Sequence, residues 1–197
     1  GYTPTFTTLR GYFAELEKRG TSLNLATFVG AGGLRSLVIG DDDRMATPVE
    51  LERMKALVAE AMEDGALGLS TSLIYVPDHF ASTEEIIALA KVAARYGGSY
   101  ITHQRDEGDD GGGGLDASMD EVMRIAREAA LPAEVYHLKA SGKRNWGRMS
   151  DLLRRIEDAR AAGLDVSADQ YPWAASSNNL DASLPFWVRE GGAEAMV

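Results

Sequence analysis

The sequence predicts an α/β fold in which a parallel sheet is covered by helices. Short apolar runs alternate with amphipathic stretches, and the centres of successive runs lie 31 to 42 residues apart. Residues that favour helix starts precede the amphipathic stretches. A strand, a loop and a crossover helix together need about 30 residues or more, so this spacing matches consecutive βα units. Strands connected by such crossovers form parallel sheets.

Five runs have the length and composition of buried strands. They cover residues 25–29, 67–71, 99–103, 134–138 and 165–169. Five units at this spacing account for most of the 197 residues, whereas a complete eight-stranded barrel takes about 250. The sequence therefore predicts a partial TIM-type (β/α) barrel of about five βα units. A small doubly wound sheet of five strands is the alternative, which periodicity does not separate from the first.

Four intervening stretches have the periodicity of amphipathic helices. Thr47 caps the first and is followed by proline at the first helical position. Ser82 opens the second in the same way, with two glutamates in its first turn. The predicted helices lie at residues 47–65, 82–97, 116–130 and 150–162.

Two glycine-rich segments lie in predicted loops. Residues 30–35 follow the first strand, but Arg35 stands where a dinucleotide-binding fingerprint needs its third glycine. We therefore interpret this segment as a tight βα turn. Residues 109–114 include four consecutive glycines after the third strand, and two interpretations are open: a mobile lid over a site or a tolerated surface insertion.

Composition and charge exclude several classes of protein. A net charge of −10 opposes binding to nucleic acid or to an anionic membrane. The absence of cysteine excludes a disulfide scaffold, a thiolate metal site and a cysteine nucleophile supplied by this chain. No apolar run approaches the roughly 20 residues of a membrane span, and no signal peptide opens the sequence. We expect a cytoplasmic protein that acts on a small molecule.

Two of the three histidines occupy equivalent positions on consecutive predicted strands. His103 ends the third strand, and His137 ends the fourth. Parallel strands bring their carboxyl ends to one edge, so both imidazoles could share a borderline-soft ion such as Zn²⁺. The alternative is that each is an ordinary hydrogen-bonded core histidine. His79 lies in a loop without a matching partner and is expected at the surface.

Charged side chains accompany these two histidines. Lys139 lies two residues past the second of them and suits a substrate carboxylate, although a solvated loop lysine has the same pattern. Arg105 and Glu107 alternate after the first and are expected to pair with each other, with carboxylate binding by Arg105 as the alternative. Asp169 ends the fifth strand, and we favour a structural role in the following turn over that of ligand or general base.

Four ordered motifs resemble the N-acyl-D-amino-acid deacylases (D-aminoacylases) of the amidohydrolase superfamily. They are GALGLSTSLIYVP at residues 65–77, THQRDE at 102–107, HLKASGKRNWG at 137–147 and DQYPW at 169–173. The resemblance extends over nearly the whole chain. It implies a zinc-dependent βα barrel that hydrolyses N-acyl-D-amino acids to a carboxylate and a D-amino acid.

By matched position, the resemblance implies roles for five residues. His103 and His137 would be zinc ligands, and the substrate carboxylate would be held by Lys139, Tyr171 and Ser177. The family's early His-x-His motif, its cysteine ligand and its general-base aspartate have no counterpart here. We therefore expect residues 1–197 to be the central part of a barrel truncated at both ends, which binds zinc weakly and is inactive in isolation.

The sequence departs from the family pattern at two positions, and other functions remain as alternatives. Family members often carry methionine where Gln104 stands and histidine where Ala31 stands. A cyclic-amide hydrolase or a dipeptidase of the same superfamily is one alternative function, and a non-catalytic α/β binding or assembly domain is another. Open strand edges favour a homo-oligomer or pairing with further barrel segments.

Overall fold

A computed structural model describes residues 5–108, 113–173, 175–192 and 195–196. Its centre is a parallel sheet whose strands are β1 (Val29–Gly30), β2 (Gly68–Ser72), β3 (Ser99–His103), β4 (Ala133–Val135) and β5 (Val166–Ala168). The α-helices of these described ranges are α1 (Leu9–Arg19), α2 (Ala31–Val38), α3 (Pro48–Glu63), α4 (Thr83–Arg95), α5 (Gly114–Ala129), α6 (Met149–Ala161) and α7 (Phe186–Arg189). Short 3₁₀ turns lie at Asp78–Phe80, Lys143–Asn145 and Leu180–Ser183.

The order of the strands in the sheet follows the order of the sequence, β1-β2-β3-β4-β5. All four pairings are parallel. A doubly wound sheet reverses direction at a switch point, and this sheet does not, so that alternative is wrong. In a (β/α) barrel, each new strand is added beside the preceding one and always on the same side, as in this sheet. The predicted α/β class is confirmed.

The hydrophobic core lies between the sheet and the helices that follow its strands. Helix α3 contributes Met54 and Val58, which are fully buried. Its start is fixed by a capping box, because the Thr47 side chain accepts from the Glu50 backbone while the Glu50 carboxylate accepts from the backbone of Thr47. Burying each large apolar side chain contributes about 1.5–3 kcal/mol. This layer holds the strand ends in place.

The first βα unit differs from its prediction. Residues 25–29 were expected to form a strand, but the ladder contains only Val29 and Gly30. Residues 30–35 were expected to form a turn, yet helix α2 begins at Ala31, directly after the strand. The reason is long-range: Arg35 points into the protein and forms an ion pair with Glu85 of α4. The strand expected at residues 134–138 is also shorter and ends at Val135.

Two further expectations concern the glycine-rich segment after β3 and the absence of a membrane span. Residues 109–112 lie outside the described residues, so the two interpretations of the glycine-rich segment both stay predictions. The described chain resumes at Gly113, and helix α5 begins at the next residue, Gly114. Within the described ranges, every helix is too short or too polar to span a bilayer.

Candidate functional site

The carboxyl ends of β3 and β4 bring the two predicted histidines together. His103 is the last residue of β3, and His137 lies two residues beyond β4. Their ring centroids are 4.5 Å apart, with the rings nearly perpendicular at 84°. His137 adopts a positive φ of 37°, which bends the chain where the strand has ended. The expected proximity of the two imidazoles is therefore present.

A third potential ligand, Glu107, lies between these imidazoles. Its Oε1 atom is 3.6 Å from Nδ1 of His103 and 3.3 Å from Nδ1 of His137. One ligand atom from each of the three residues falls within 4.8 Å of the other two. Two imidazoles and a carboxylate form a donor set that zinc accepts. These residues therefore fit a metal ion, and Glu107 is a candidate ligand that sequence reasoning missed.

Burial favours the form of His103 that can bind a metal. Desolvation lowers the pKa of this imidazole, while the nearby Glu107 carboxylate acts in the opposite direction. The His103 side chain is only 13% exposed. A neutral imidazole offers a lone pair to a metal, whereas a protonated one does not.

Lys139 reaches the same cluster. Its ammonium contacts the Glu107 carboxylate and lies 2.7 Å from Nδ1 of His137. It also lies 5.7 Å from the centre of the Tyr171 ring. The lysine is therefore one of the groups at the sheet edge, and it is not a solvated loop side chain: its exposure is 21%.

A cavity of about 420 Å³ opens beside the cluster. Tyr171 and Ser177, both predicted from the family resemblance, line it together with the cluster residues. Its wall also includes Ile74, Tyr75 and Trp173. The cavity thus combines polar groups at its base with apolar side chains, as small-molecule sites commonly do.

Arg105 is directed away from this cavity. Its guanidinium donates to the Glu121 carboxylate at 2.9 Å and to the carbonyls of His79 and Ala81 at 2.7 and 2.9 Å. The predicted pair between Arg105 and Glu107 is wrong, because the chain turns after β3 and sends the two side chains to different partners. In this structure Arg105 joins α5 to the loop that follows β2.

Asp169 has the structural role expected of it, whereas His79 does not lie at the surface as expected. The Asp169 carboxylate accepts the backbone N–H of His137, so it braces the loop that carries this imidazole, as a structural role requires. His79 was expected at the surface and is instead partly buried. Its ring stacks on Phe186 at 3.4 Å, and its Nδ1 lies 3.1 Å from the Leu73 carbonyl.

Comparison with known proteins finds relatives that are all named as D-aminoacylases or N-acyl-D-amino-acid deacylases. No protein-family profile matches the chain. The chain is 40% identical over 169 residues to D-aminoacylase of Alcaligenes xylosoxydans xylosoxydans. This match covers 86% of this chain and 34% of the relative. It is 36% identical over 180 residues to N-acyl-D-glutamate deacylase of the same organism, covering 91% of this chain and 36% of the relative. The chain thus spans about a third of the length of these relatives.

A solved structure has the same fold over the same part of the chain. It is N-acyl-D-glutamate deacylase from Bordetella bronchiseptica, complexed with zinc and a phosphonate inhibitor that mimics the tetrahedral intermediate of the reaction. The two chains are 35% identical, with a TM-score of 0.81 over 88% of this chain and 36% of that one. Fold and sequence therefore agree on the relationship.

Proposed function

We propose that this chain, which belongs to the N-acyl-D-amino-acid deacylase (D-aminoacylase) family, supplies zinc ligands and substrate-binding groups to an enzyme that hydrolyses N-acyl-D-amino acids. The observation that carries the proposal is the convergence of His103, His137 and Lys139 at one edge of the sheet. The chain spans about a third of its relatives' length. We therefore propose that residues 1–197 form the central part of a larger barrel.

The metal would be held by His103 and His137, with the Glu107 carboxylate available as a further oxygen ligand. When bound, zinc polarises a carbonyl oxygen and lowers the pKa of a coordinated water. The family resemblance supplies the expectation of zinc, and the donor set of this chain supports it.

The remaining polar groups of the cavity would bind and orient the substrate. The Lys139 ammonium can pair with the carboxylate of the amino acid, and the hydroxyl groups of Tyr171 and Ser177 can donate hydrogen bonds to it. Fixing the carboxylate in this way holds the scissile amide at a defined distance from the histidines. The general base is proposed to be an aspartate contributed by the rest of the protein.

The charge of the chain supports a small-molecule substrate. At −10 it would repel nucleic acids and anionic lipid surfaces. Cytoplasmic location and a homo-oligomeric state, or pairing with further barrel segments, stay predictions.

Zinc binding by this chain tests the proposal most directly. We expect His103→Ala and His137→Ala to bind less zinc than wild type, measured by elemental analysis after equilibrium dialysis against buffer with a fixed concentration of free zinc. His79→Ala is the matched control, because it removes the third histidine from a position outside the cluster, and it should retain the wild-type zinc content. Equal zinc contents in all four chains would contradict the assignment.

Activity is tested on the chain extended at both ends. We expect the extended protein to hydrolyse N-acetyl-D-amino acids in preference to their L-enantiomers, and the 197-residue chain to hydrolyse neither. Hydrolysis by the shorter chain above background would show that the general base lies within it. Cleavage of cyclic amides or dipeptides in place of N-acetyl-D-amino acids would replace the proposed substrate class.

A further inference from the structure

We propose that Lys139 and the metal ion compete for His137, so that metal binding releases the lysine for the substrate carboxylate. This inference rests on the proposed function, because it takes the two histidines as metal ligands. It adds a coupling between two sites that the proposed function treats separately. The coupling follows from the contacts that Lys139 makes in the structure.

The Lys139 ammonium occupies a position next to two members of the metal-ligand cluster. Nζ lies 2.7 Å from Nδ1 of His137 and contacts the Glu107 carboxylate. The Glu107 oxygen in this contact is also 3.3 Å from the same Nδ1 atom. A positive charge is therefore already placed where the cluster attracts a cation.

The chemistry of the contact at His137 makes it exclusive. An ammonium group has three donors and no acceptor, so Nδ1 of His137 must accept with its lone pair, and the ring proton then lies on Nε2. A metal bound at Nδ1 needs that same lone pair. A metal bound at Nε2 requires the proton on Nδ1, which would then point at the Lys139 donor. In both cases the contact between Lys139 and His137 must break.

Electrostatics acts in the same direction. An ammonium and a divalent cation a few ångströms apart repel each other, and the repulsion is large where water is partly excluded. Glu107 and His137 are 10% and 29% exposed at the side chain. A metal ion in this cluster therefore favours a position of Lys139 farther from His137.

The displaced lysine has a place to go that suits its proposed role. The face of the Tyr171 ring lies 5.7 Å from Nζ, in the wall of the cavity. An ammonium in the cavity can pair with a carboxylate, whereas one held between Glu107 and His137 already has its charge balanced. Metal binding would thus precede, and prepare, binding of the substrate carboxylate.

Zinc affinity tests the competition without any measurement of activity. Lys139→Met keeps an unbranched side chain of similar volume but removes the ammonium group. We expect its zinc Kd to fall roughly ten-fold or more, the equivalent of about 1.4 kcal/mol. Lys143→Met is the matched control, since it removes the same charge from an exposed lysine four residues away. Its Kd should stay within about two-fold of wild type. Titration against a chelator of known affinity gives all three constants.

The state of His137 gives an independent measurement. In ¹⁵N-histidine spectra of the metal-free wild-type chain, we expect His137 to carry its proton on Nε2 and to accept at Nδ1. In Lys139→Met, this preference should weaken, while the spectrum of His79 stays unchanged. A metal-free His137 with its proton on Nδ1 would overturn the proposal, because the ammonium could not then donate to it.

The outcomes separate this inference from the proposed function. Zinc bound with equal affinity by wild type, Lys139→Met and Lys143→Met would leave the metal site standing and overturn the competition. Absence of zinc binding in wild type and Lys139→Met alike would contradict the metal site and the competition together. If Lys139→Met does not fold by circular dichroism, Lys139→Gln replaces it with the same expected change in Kd.

Discussion

Gln104 buries a primary amide for which the described part of the chain provides no hydrogen-bond partner. The side chain is fully buried, and both its Oε1 and Nε2 atoms are unpaired there. Its backbone carbonyl accepts from Nδ1 of His103, so the residue also lies directly beside the proposed metal site. Replacing Gln104 by methionine would keep the unbranched shape and the backbone contact while removing the unpaired polar atoms.

The structure sets the expected size of the effect. A buried polar group without a partner costs about 1–3 kcal/mol. Gln104→Met should therefore increase the free energy of unfolding by about 1–3 kcal/mol. For a chain of 150–250 residues this corresponds to a rise in Tm of roughly 2–12 °C. Urea denaturation measures the change, with an unaltered m value as evidence that the same surface is exposed on unfolding.

A control of opposite sign accompanies this variant. Thr102 is equally buried, but its hydroxyl accepts from the Thr71 hydroxyl at 2.8 Å. Thr102→Val removes a satisfied hydrogen bond and should destabilise the protein by about 1 kcal/mol. If Gln104→Met is no more stable than wild type, the amide is not unpaired in solution and the reasoning fails.

Two further predictions concern buried charges near α2. Burial raises the pKa of Asp78 to about 6, above an unfolded value of about 3.9. The folded state therefore binds more protons than the unfolded state between these two pH values. The free energy of unfolding should fall by about 2–3 kcal/mol as the pH rises from 4 to 6. Asp78→Asn should abolish this slope in urea unfolding, and a slope that persists would assign it to another group. The pair of Arg35 and Glu85 is 1% and 4% exposed at the side chain; Arg35→Met should cost about 3–5 kcal/mol by leaving a buried carboxylate unpaired. The double variant Arg35→Met, Glu85→Leu should recover much of this loss, and a double variant as unstable as the single one would contradict the explanation.

The sequence predicted the sheet well where strands are central and less well at its first strand. Ser99–His103 is a strand with the predicted limits, since it pairs with neighbours on both sides. The first strand was overestimated because the apolar run at residues 25–29 begins four residues before Val29 and Gly30, which form the ladder. Helix α2 was missed because Gly32 and Gly33 disfavour a helix locally. A Cβ at Gly32 would lie 3.0 Å from the Asp78 carboxyl, so a contact distant in sequence requires this glycine.

Helix α1 was missed for a different reason. The helix has Leu9, Tyr12, Phe13 and Leu16 at the i, i+3, i+4, i+7 spacing of an amphipathic helix, although none of its described side chains is buried. Its start is nevertheless capped, with the Thr8 side chain accepting from the backbone of Gly11. The alternation of strands and helices identifies the later helices, and this alternation begins only after α1.

The candidate site was predictable as far as strand ends determine it. His103 and His137 follow from their positions at the ends of adjacent predicted strands. Lys139 lies near His137 as its spacing predicted, although β4 ends at Val135 and the chain bends between them. Glu107 was assigned to Arg105, because residues two apart face the same side of an extended strand. Strand β3 ends before either residue, so this rule does not apply there. An acidic residue four positions after His103 was the signal that could have identified Glu107 as a third candidate ligand.

The sequential order of the strands has a consequence for how the protein acquires its structure. Each pairing joins residues roughly 30 to 40 positions apart, as in Val29 with Leu69 and Tyr100 with Ala133. Closing loops of this size costs less conformational entropy than joining distant parts of a chain. The sheet can therefore grow strand by strand as the polypeptide leaves the ribosome, with each new unit docking on the one made just before it. The two histidines would meet as soon as β4 has docked on β3, before β5 is added.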